Sequence, residues 1–193
     1  MIIDISQEIF SCKVYPGDPS PALERIQNIS NGDVCNLTGF SMCAHNGTHV
    51  DAPYHFLSHG KTIDQMGLEP FVGDCYVAQH EGEVTAEDAV HILEKAQEAG
   101  ASKRILIAGK ATVTADAAHE FASSGILLLG NESQTVGPEN APMEVHLILL
   151  GAEIVLLEGI VLTNIEEGKY FLSAAPLNLA GCDGSPCRAF LIK

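Results

Sequence analysis

The stretch Thr85-Ala-Glu-Asp-Ala-Val-His-Ile-Leu-Glu-Lys-Ala-Gln-Glu-Ala99 carries the strongest helix signal in the chain. Thr85 is a favourable N-cap, and Asp88 stands where its side chain can return a hydrogen bond to the cap. Apolar residues keep helical spacing at Val90, Leu93 and Ala96. Gly100 follows the last turn, as is typical of helix ends. The pattern predicts a helix over 85–99.

On both sides of this helix, short apolar runs predict buried strands. Phe71–Gln79 precedes the helix, and Arg104–Ala108 and Ile126–Leu129 follow it. Thr114–Ser123 is a second capped helix, which ends at Gly125. This β-α-β-α-β order predicts an α/β protein in which helices cover a sheet.

The rest of the chain extends the same pattern. Pro142–Leu150 is predicted as a third helix, with proline at its favoured first position. The remaining predicted strands are Met1–Ser6, Leu23–Ile29, Val34–Cys43, Ile154–Leu157, Tyr170–Ala174 and Arg188–Ile192. Since no shift in composition marks a boundary, residues 1–193 are expected to form one domain.

Composition excludes several classes of partner. Ten Lys and Arg against 25 Asp and Glu give a net charge of −15, which argues against binding to nucleic acid or to an anionic membrane surface. The chain shows no signal-peptide pattern and no apolar run of the roughly 20 residues that a membrane span needs. The six cysteines contain no CxxC pair and are expected to be reduced thiols, which favours the cytoplasm.

Four side chains that can bind metals or carry protons fall within the segment His45-Asn-Gly-Thr-His49-Val-Asp51-Ala-Pro-Tyr-His55. Its glycine, its proline and its β-branched residues disfavour a helix, so the segment is expected to form a tight loop. Gly47 would let the backbone fold so that His45 and His49 converge. If the backbone is extended, His49 and Asp51 point to the same side.

Imidazole and carboxylate ligands without paired cysteines suit zinc, manganese or iron. An aspartate at such a site can bridge two metals with its two oxygens, and a metal pair can activate water and polarise a carbonyl group. The alternative is a polar, histidine-rich surface loop without chemistry.

Two further residues are candidates for a second metal. His146 lies on the apolar face of the third helix, where a satisfied core histidine is the commoner alternative. Glu158 ends the apolar run Ile154–Leu157, and a buried carboxylate there is costly unless it is paired or bound to metal. No Lys or Arg occurs between Ala111 and Gly168 to compete with a metal. The loop that begins Asn131-Glu-Ser-Gln134 is a weaker candidate for substrate contact.

The HxGTHxDxPxH pattern of this segment resembles the metal-dependent cyclase family, which includes bacterial kynurenine formamidases and isatin hydrolases. Three other features extend the resemblance over most of the chain. The turn Tyr15-Pro-Gly-Asp18 is similar to a Trp-Pro-Gly-Asp segment of the family, and His146 and Glu158 are similar to its distal ligand pair. The tail Gly181-Cys-Asp-Gly-Ser-Pro-Cys-Arg188 resembles its closing Gly-x-Pro-x-Arg motif.

The resemblance implies a compact α/β domain with a mixed, partly barrel-like sheet flanked by helices. It implies that a first metal is bound by His45, His49 and Asp51, and a second by Asp51, His146 and Glu158. The metals would be two Zn²⁺ ions per subunit, with Mn²⁺ as an alternative. His55 would act as general acid and base close to the metals.

The implied activity is hydrolysis of a small amide by metal-activated water, most like the conversion of N-formylkynurenine to kynurenine and formate. Tyr15 stands where formamidases typically carry a substrate-stacking Trp, and its ring offers less area to an aryl substrate. The alternatives are a hydrolase of another cyclic amide, lactone or ester, and a non-enzymatic protein that binds metal or a small molecule. The family also implies a homodimer or homotetramer.

Overall fold

The computed structural model describes residues 1–193 as thirteen strands and three α-helices. The first seven strands are β1 (Ile2–Asp4), β2 (Ala22–Gln27), β3 (Leu37–Ser41), β4 (His49–Asp51), β5 (Val72–Gln79), β6 (Gly82–Val84) and β7 (Arg104–Ala108). The others are β8 (Ala111–Val113), β9 (Leu128–Asn131), β10 (Val155–Glu158), β11 (Gly168–Ser173), β12 (Gly184–Pro186) and β13 (Phe190–Ile192). The helices are α1 (Ala86–Glu98), α2 (Ala115–Ser124) and α3 (Met143–Gly151).

Nine strands form one mixed sheet in the order β1-β13-β11-β5-β7-β9-β10-β4-β12. The four central strands β5, β7, β9 and β10 are parallel, as expected for strands joined through helices. The strands on either side pair antiparallel. The sheet curls into a half-barrel flanked by the three helices, so the predicted α/β class and partly barrel-like sheet are confirmed.

Strand side chains alternate between two apolar cores, one on each face of the sheet. In β7, Ile105 and Ile107 belong to the core beneath the helices, together with Phe121 of α2 and Leu149 of α3. Leu106, between the two isoleucines, belongs to the core on the opposite face. Because successive strand residues point to opposite faces, the position of a residue along its strand decides whether it meets the helices.

The predicted helices form with the caps that the sequence indicates. Thr85 accepts a hydrogen bond from the Asp88 backbone, and the Asp88 carboxylate accepts one from Thr85 N at 2.9 Å. Gly125 ends α2 in the left-handed conformation, with φ of 75°. Pro142 lies one residue outside α3, at its N-cap, and not at the predicted first helical position. None of the helices has the length and apolar character needed to cross a membrane.

Four short strands are absent from the sequence prediction: β4, β6, β8 and β12. Each is three residues long, and each is stabilised by pairing with residues far away in sequence. The stretch His49–Asp51, predicted as part of a tight loop, is β4 and lies between β10 and β12. Local periodicity cannot reveal strands of this length, since only one full alternation fits within them.

The hairpin of β2 and β3 stands apart from the main sheet. Large apolar side chains on it are exposed, among them Ile26, Val34 and Phe40. Its contact with the N-terminal segment includes an edge-to-face pair of Phe10 and Phe40, with ring centroids 6.4 Å apart. A two-stranded hairpin with so much exposed apolar surface has little support within its own chain.

Candidate metal centre

Strand β4 places His49 and Asp51 beneath the helices. Val50, between them, packs in the core on the opposite face of the sheet. Pairing with β10 sets His49 opposite Glu158. The expectation that an extended backbone would turn His49 and Asp51 to the same side is therefore confirmed. Both side chains, and that of Glu158, are almost fully buried.

Two glycines bring His45 against β4. Gly47 has φ of 64°, a left-handed conformation that favours glycine. The rings of His45 and His49 on either side of it lie with centroids 5.1 Å apart, so they converge as predicted. Gly184 of β12 lies under the His45 ring, where an added Cβ would come within 2.7 Å of the imidazole Cε1. A larger residue at 184 would therefore displace this imidazole.

Helix α3 supplies His146 from above the sheet. Its Nδ1 donates to the backbone carbonyl of Pro142 at 2.8 Å, which leaves Nε2 to face Glu158. Glu158 in turn accepts a hydrogen bond from Val136 N on Oε1 at 2.8 Å. Both side chains are thus fixed by the backbone before any ligand binds.

The five predicted metal ligands converge on one another. His45 Nδ1 lies 2.9 Å from Asp51 Oδ1, and His49 Nε2 lies 3.4 Å from the same oxygen. His49 Nε2 and His146 Nε2 lie 3.5 Å and 3.3 Å from the two oxygens of Glu158. His146 Nε2 is also 3.7 Å from Asp51 Oδ2. Asp51 therefore lies within 3.7 Å of all three imidazoles.

The imidazoles of the cluster compensate its carboxylate charge. Burial alone lowers the pKa of His45, but hydrogen bonds with Asp183 and Asp51 outweigh it and raise that pKa to about 11. Burial also opposes protonation of His49 and His146, yet hydrogen bonding to Glu158 raises the pKa of both. For Asp51, burial is outweighed by the hydrogen bond from His45 and the neighbouring imidazoles, which hold its pKa well below its usual range.

The donor set fits a divalent cation. Asp51 Oδ2 is buried and has no hydrogen-bond partner, so one carboxylate oxygen faces the cluster without a donor of its own. No Lys or Arg lines the pocket above it. Two carboxylates and three imidazoles, buried together without a permanent cation, are the ligand chemistry that zinc and manganese accept.

His55 sits beside the cluster in a short turn of 3₁₀-helix, Pro53–His55. Its ring stacks on His45, with centroids 4.0 Å apart, and it is more exposed than the other imidazoles. Possible ligand atoms of His45, Asp51 and His55 lie within 4.8 Å of one another. This geometry is compatible with His55 as a neighbouring acid and base, and also with His55 as a ligand.

A cleft of about 210 Å³ opens above the cluster. The Tyr15 ring lines it, and the Tyr15 hydroxyl donates to the Glu139 carbonyl at 2.9 Å. Gln134 and Thr135 also line it, each with a buried side-chain oxygen that has no hydrogen-bond partner. The residues that line the cleft are Tyr15, Asp18, His45, His49, His55, Phe56, Gln134, Thr135, Pro142, His146 and Glu158.

The structure adds one charged residue that the sequence interpretation did not select. Asp183 lies just before β12 and places Oδ2 2.8 Å from His45 Nε2 and 3.2 Å from His55 Nδ1. The tail Gly181–Arg188 carries a recognisable motif, but no local signal in it indicates that its aspartate reaches the histidines. Of the loop candidates, Gln134 lines the cleft, whereas Glu132 accepts hydrogen bonds from the backbone of Gly109 and Leu162.

Residues 3–137 match the family described as putative cyclase. The chain is 32% identical over 205 residues to the kynurenine formamidase of Salinibacter ruber, covering 98% of this chain and 96% of the relative. A solved structure of a predicted metal-dependent hydrolase from Bacillus stearothermophilus is 26% identical, with a TM-score of 0.80 and coverage of 99% and 97%. Isatin hydrolase A from Labrenzia aggregata shares the fold, with a TM-score of 0.83, 20% identity and coverage of 99% and 93%. By its sequence match and its fold, this chain belongs to the putative cyclase family.

Proposed function

We propose that this protein is a metal-dependent hydrolase of small amides that converts N-formylkynurenine to kynurenine and formate. The observation that carries the proposal is the buried cluster of Asp51, Glu158 and three imidazoles at the base of a small cleft. The similarity to kynurenine formamidases over almost the whole chain supports the choice of substrate.

Two divalent ions, Zn²⁺ or alternatively Mn²⁺, are proposed as cofactors. His45, His49 and Asp51 would hold one ion, and Asp51, His146 and Glu158 would hold the other. Divalent ions held there would polarise a substrate carbonyl and would lower the pKa of water, so that a hydroxide nucleophile is available near neutral pH.

His55 is proposed as the general acid and base. Its ring lines the cleft and contacts His45, so it lies next to the metal ligands and facing the substrate. Imidazole exchanges protons near neutral pH, which suits delivery of a proton to the departing amide nitrogen. The stacked contact with His45 keeps the His55 ring beside the proposed metal ligands.

The cleft favours a small substrate, because its volume of about 210 Å³ lies below the roughly 300–1,000 Å³ of pockets that hold drug-sized ligands. The aromatic rings of Tyr15 and Phe56 line it and offer stacking surface. The reduced ring area at Tyr15 supports a second candidate: hydrolysis of another cyclic amide, lactone or ester. Gln134 and Thr135 add polar side chains to the lining of the cleft for either substrate.

A homodimer or homotetramer is proposed as the assembly. The projecting hairpin of β2 and β3 supports it, since Ile26, Val34 and Phe40 expose apolar surface that a second copy can cover. A cytoplasmic location is also proposed, because all six cysteines are free thiols, as in proteins of reducing compartments.

A substrate panel tests the function. Protein stripped with a chelator and reloaded with Zn²⁺ or Mn²⁺ is assayed on N-formylkynurenine, isatin and simple lactones, with Asp51→Ala as the inactive control. Metal-dependent release of formate supports the first proposal, and turnover confined to isatin or a lactone supports the second. Tight metal binding without turnover of any substrate would contradict both and leave a non-enzymatic binding protein.

A further inference from the structure

Asp183 joins the two functional histidines that lie closest to solvent. Its Oδ2 is 2.8 Å from His45 Nε2 and 3.2 Å from His55 Nδ1. An ionised carboxylate only accepts hydrogen bonds, so both nitrogens must donate a proton to it. Asp183 therefore favours a proton on the nitrogen of each ring that faces it.

The backbone holds Asp183 in place relative to the metal ligands. The Asp183 carbonyl accepts a hydrogen bond from Ala52 N at 2.9 Å, next to Asp51 in the chain. The following residue, Gly184, pairs with Asp51 in the β12–β4 ladder. The carboxylate is thus attached to the strand that carries the cluster, although its side chain remains partly exposed.

We propose that Asp183 is a positioning residue that sets the tautomers of His45 and His55. Without a bound metal, His45 Nδ1 also donates to Asp51. In the metal-loaded protein a proton kept on His45 Nε2 would leave Nδ1 for the metal, and a proton kept on His55 Nδ1 would leave Nε2 for the substrate. A single carboxylate then orients a proposed metal ligand and the proposed acid and base together. This inference rests on the proposed function for the role of His55, but the proton positions can be measured without substrate.

The alternative is that Asp183 is an ordinary polar residue at the rim of the cleft. The substitution Asp183→Asn distinguishes the positioning role from this alternative. The side chain keeps its size, but its amide can donate to His55 Nδ1 and favour the opposite tautomer. Asp64→Asn is the matched control, because it removes the same charge. Asp64 accepts a hydrogen bond from the backbone N of Gly181, which belongs to the same tail as Asp183, at 2.9 Å.

The first measurement is the nitrogen NMR spectrum of the histidine side chains in metal-loaded wild-type protein and both variants. The wild type and Asp64→Asn should show His55 protonated on Nδ1, and Asp183→Asn should show the Nε2–H form or a mixture. Wild-type protein with His55 protonated on Nε2 would overturn the proposal, whether or not the variants fold.

The second measurement is metal affinity by competition with a chelator. Asp183→Asn should bind metal about 10–100-fold more weakly, the usual effect of losing the partner of a ligating histidine, and Asp64→Asn should match wild type. If a substrate is established, Asp183→Asn should also lose kcat by about 10²–10⁴-fold with little change in KM. Metal affinity and His55 proton position equal to those of Asp64→Asn would overturn the proposal. Absence of any substrate would contradict only the proposed function.

Discussion

Glu158 and His49 face each other across the antiparallel β10–β4 pair, with Glu158 Oε2 and His49 Nε2 3.5 Å apart. The carboxylate is held from the other side by Val136 N. The register of two short strands, and not the flexibility of a loop, therefore fixes the distance between these two proposed ligands.

Glu158→Gln should weaken metal binding by about 100-fold or more, because it removes a ligand and not merely the partner of one. The fold should persist, since the Gln oxygen can still accept the hydrogen bond from Val136 N. Bound metal after dialysis, measured by elemental analysis, checks the prediction. Glu144→Gln is the control, because Glu144 is an exposed acid on α3. Equal metal content in both variants would contradict the ligand role of Glu158.

His55→Ala should retain metal and lose about 10²–10⁴-fold in kcat, the usual contribution of general acid–base catalysis. The measurements are metal content and steady-state rates on the substrate found with the panel. His59→Ala controls for loss of an imidazole, since His59 is exposed nearby in the chain. Loss of metal in parallel with activity would make His55 a ligand, and unchanged activity would remove it from the mechanism.

Thr135→Val should leave the protein as stable as wild type or slightly more so. The Thr135 hydroxyl is buried without a hydrogen-bond partner, so replacing it with a methyl group breaks no bond within the chain. If the hydroxyl binds the substrate, kcat/KM should fall about tenfold, the value of one hydrogen bond. Urea unfolding and steady-state kinetics separate the two effects. A clear loss of stability would show that the hydroxyl is committed to the fold.

The pair of Asp4 and Arg188 links β1 to the segment before β13 and should make stability sensitive to acid. The hydrogen bond from Arg188 is the main cause that lowers the pKa of Asp4 from 3.8 to about 2. Because the folded state lowers this pKa, the stabilisation is complete above about pH 4 and is lost as the pH falls towards 2. Its size should be small, since both side chains are exposed and solvent screens the pair.

Urea unfolding of Asp4→Asn, Arg188→Gln and the double variant between pH 7 and pH 2.5 measures this pair. At pH 7 the stability lost in the two single variants together should exceed the loss in the double variant, and this coupling should shrink in acid. Coupling that is the same at both pH values would show that the pair is not the source of the dependence.

Ile26→Lys should dissociate the proposed oligomer. Ile26 is 54% exposed on the β2–β3 hairpin, and a charge there opposes burial against a second copy. Light scattering after size-exclusion chromatography gives the mass of the wild type and the variant. Val90→Lys is the control, because Val90 is 40% exposed on α1, away from the hairpin. A monomeric wild type, or an Ile26→Lys protein of unchanged oligomeric mass, would reject the hairpin as the interface.

Sequence patterns predicted the central fold because its signals are local. Helix α1 begins after its cap at Thr85 and helix α2 ends at Gly125, as the sequence predicted. Strand β7, Arg104–Ala108, also has the predicted bounds. The strands β4 and β12 escaped prediction because three residues carry almost no periodicity. Their conformation depends on pairing with each other and with β10.

The residues of the candidate site also divide into those that local sequence predicts and those that depend on tertiary structure. Four of the candidate residues could be predicted because they lie close together in the sequence: His45, His49, Asp51 and His55. The other two, His146 and Glu158, could be predicted because each is a polar residue in an otherwise apolar element. Asp183 was not selected, since its relation to His45 spans 138 residues and exists only after β12 joins β4. Sequence spacing indicated the residues of the cluster, whereas the partners that orient them depend on tertiary structure.

The pairing of β12 with β4 also affects the stage of folding at which the candidate metal centre can form. β4 completes its sheet contacts only when β10 and then β12 are present, so the cluster depends on contacts of very long sequence separation. Closing such long loops is slow and comes late in folding. A nascent chain has the HxGTHxDxPxH segment early but cannot hold it in its final geometry until β12, residues 184–186, has been synthesised. Binding of the proposed metal is therefore expected to follow synthesis of β12, and the ion should stabilise a finished fold more than it guides one.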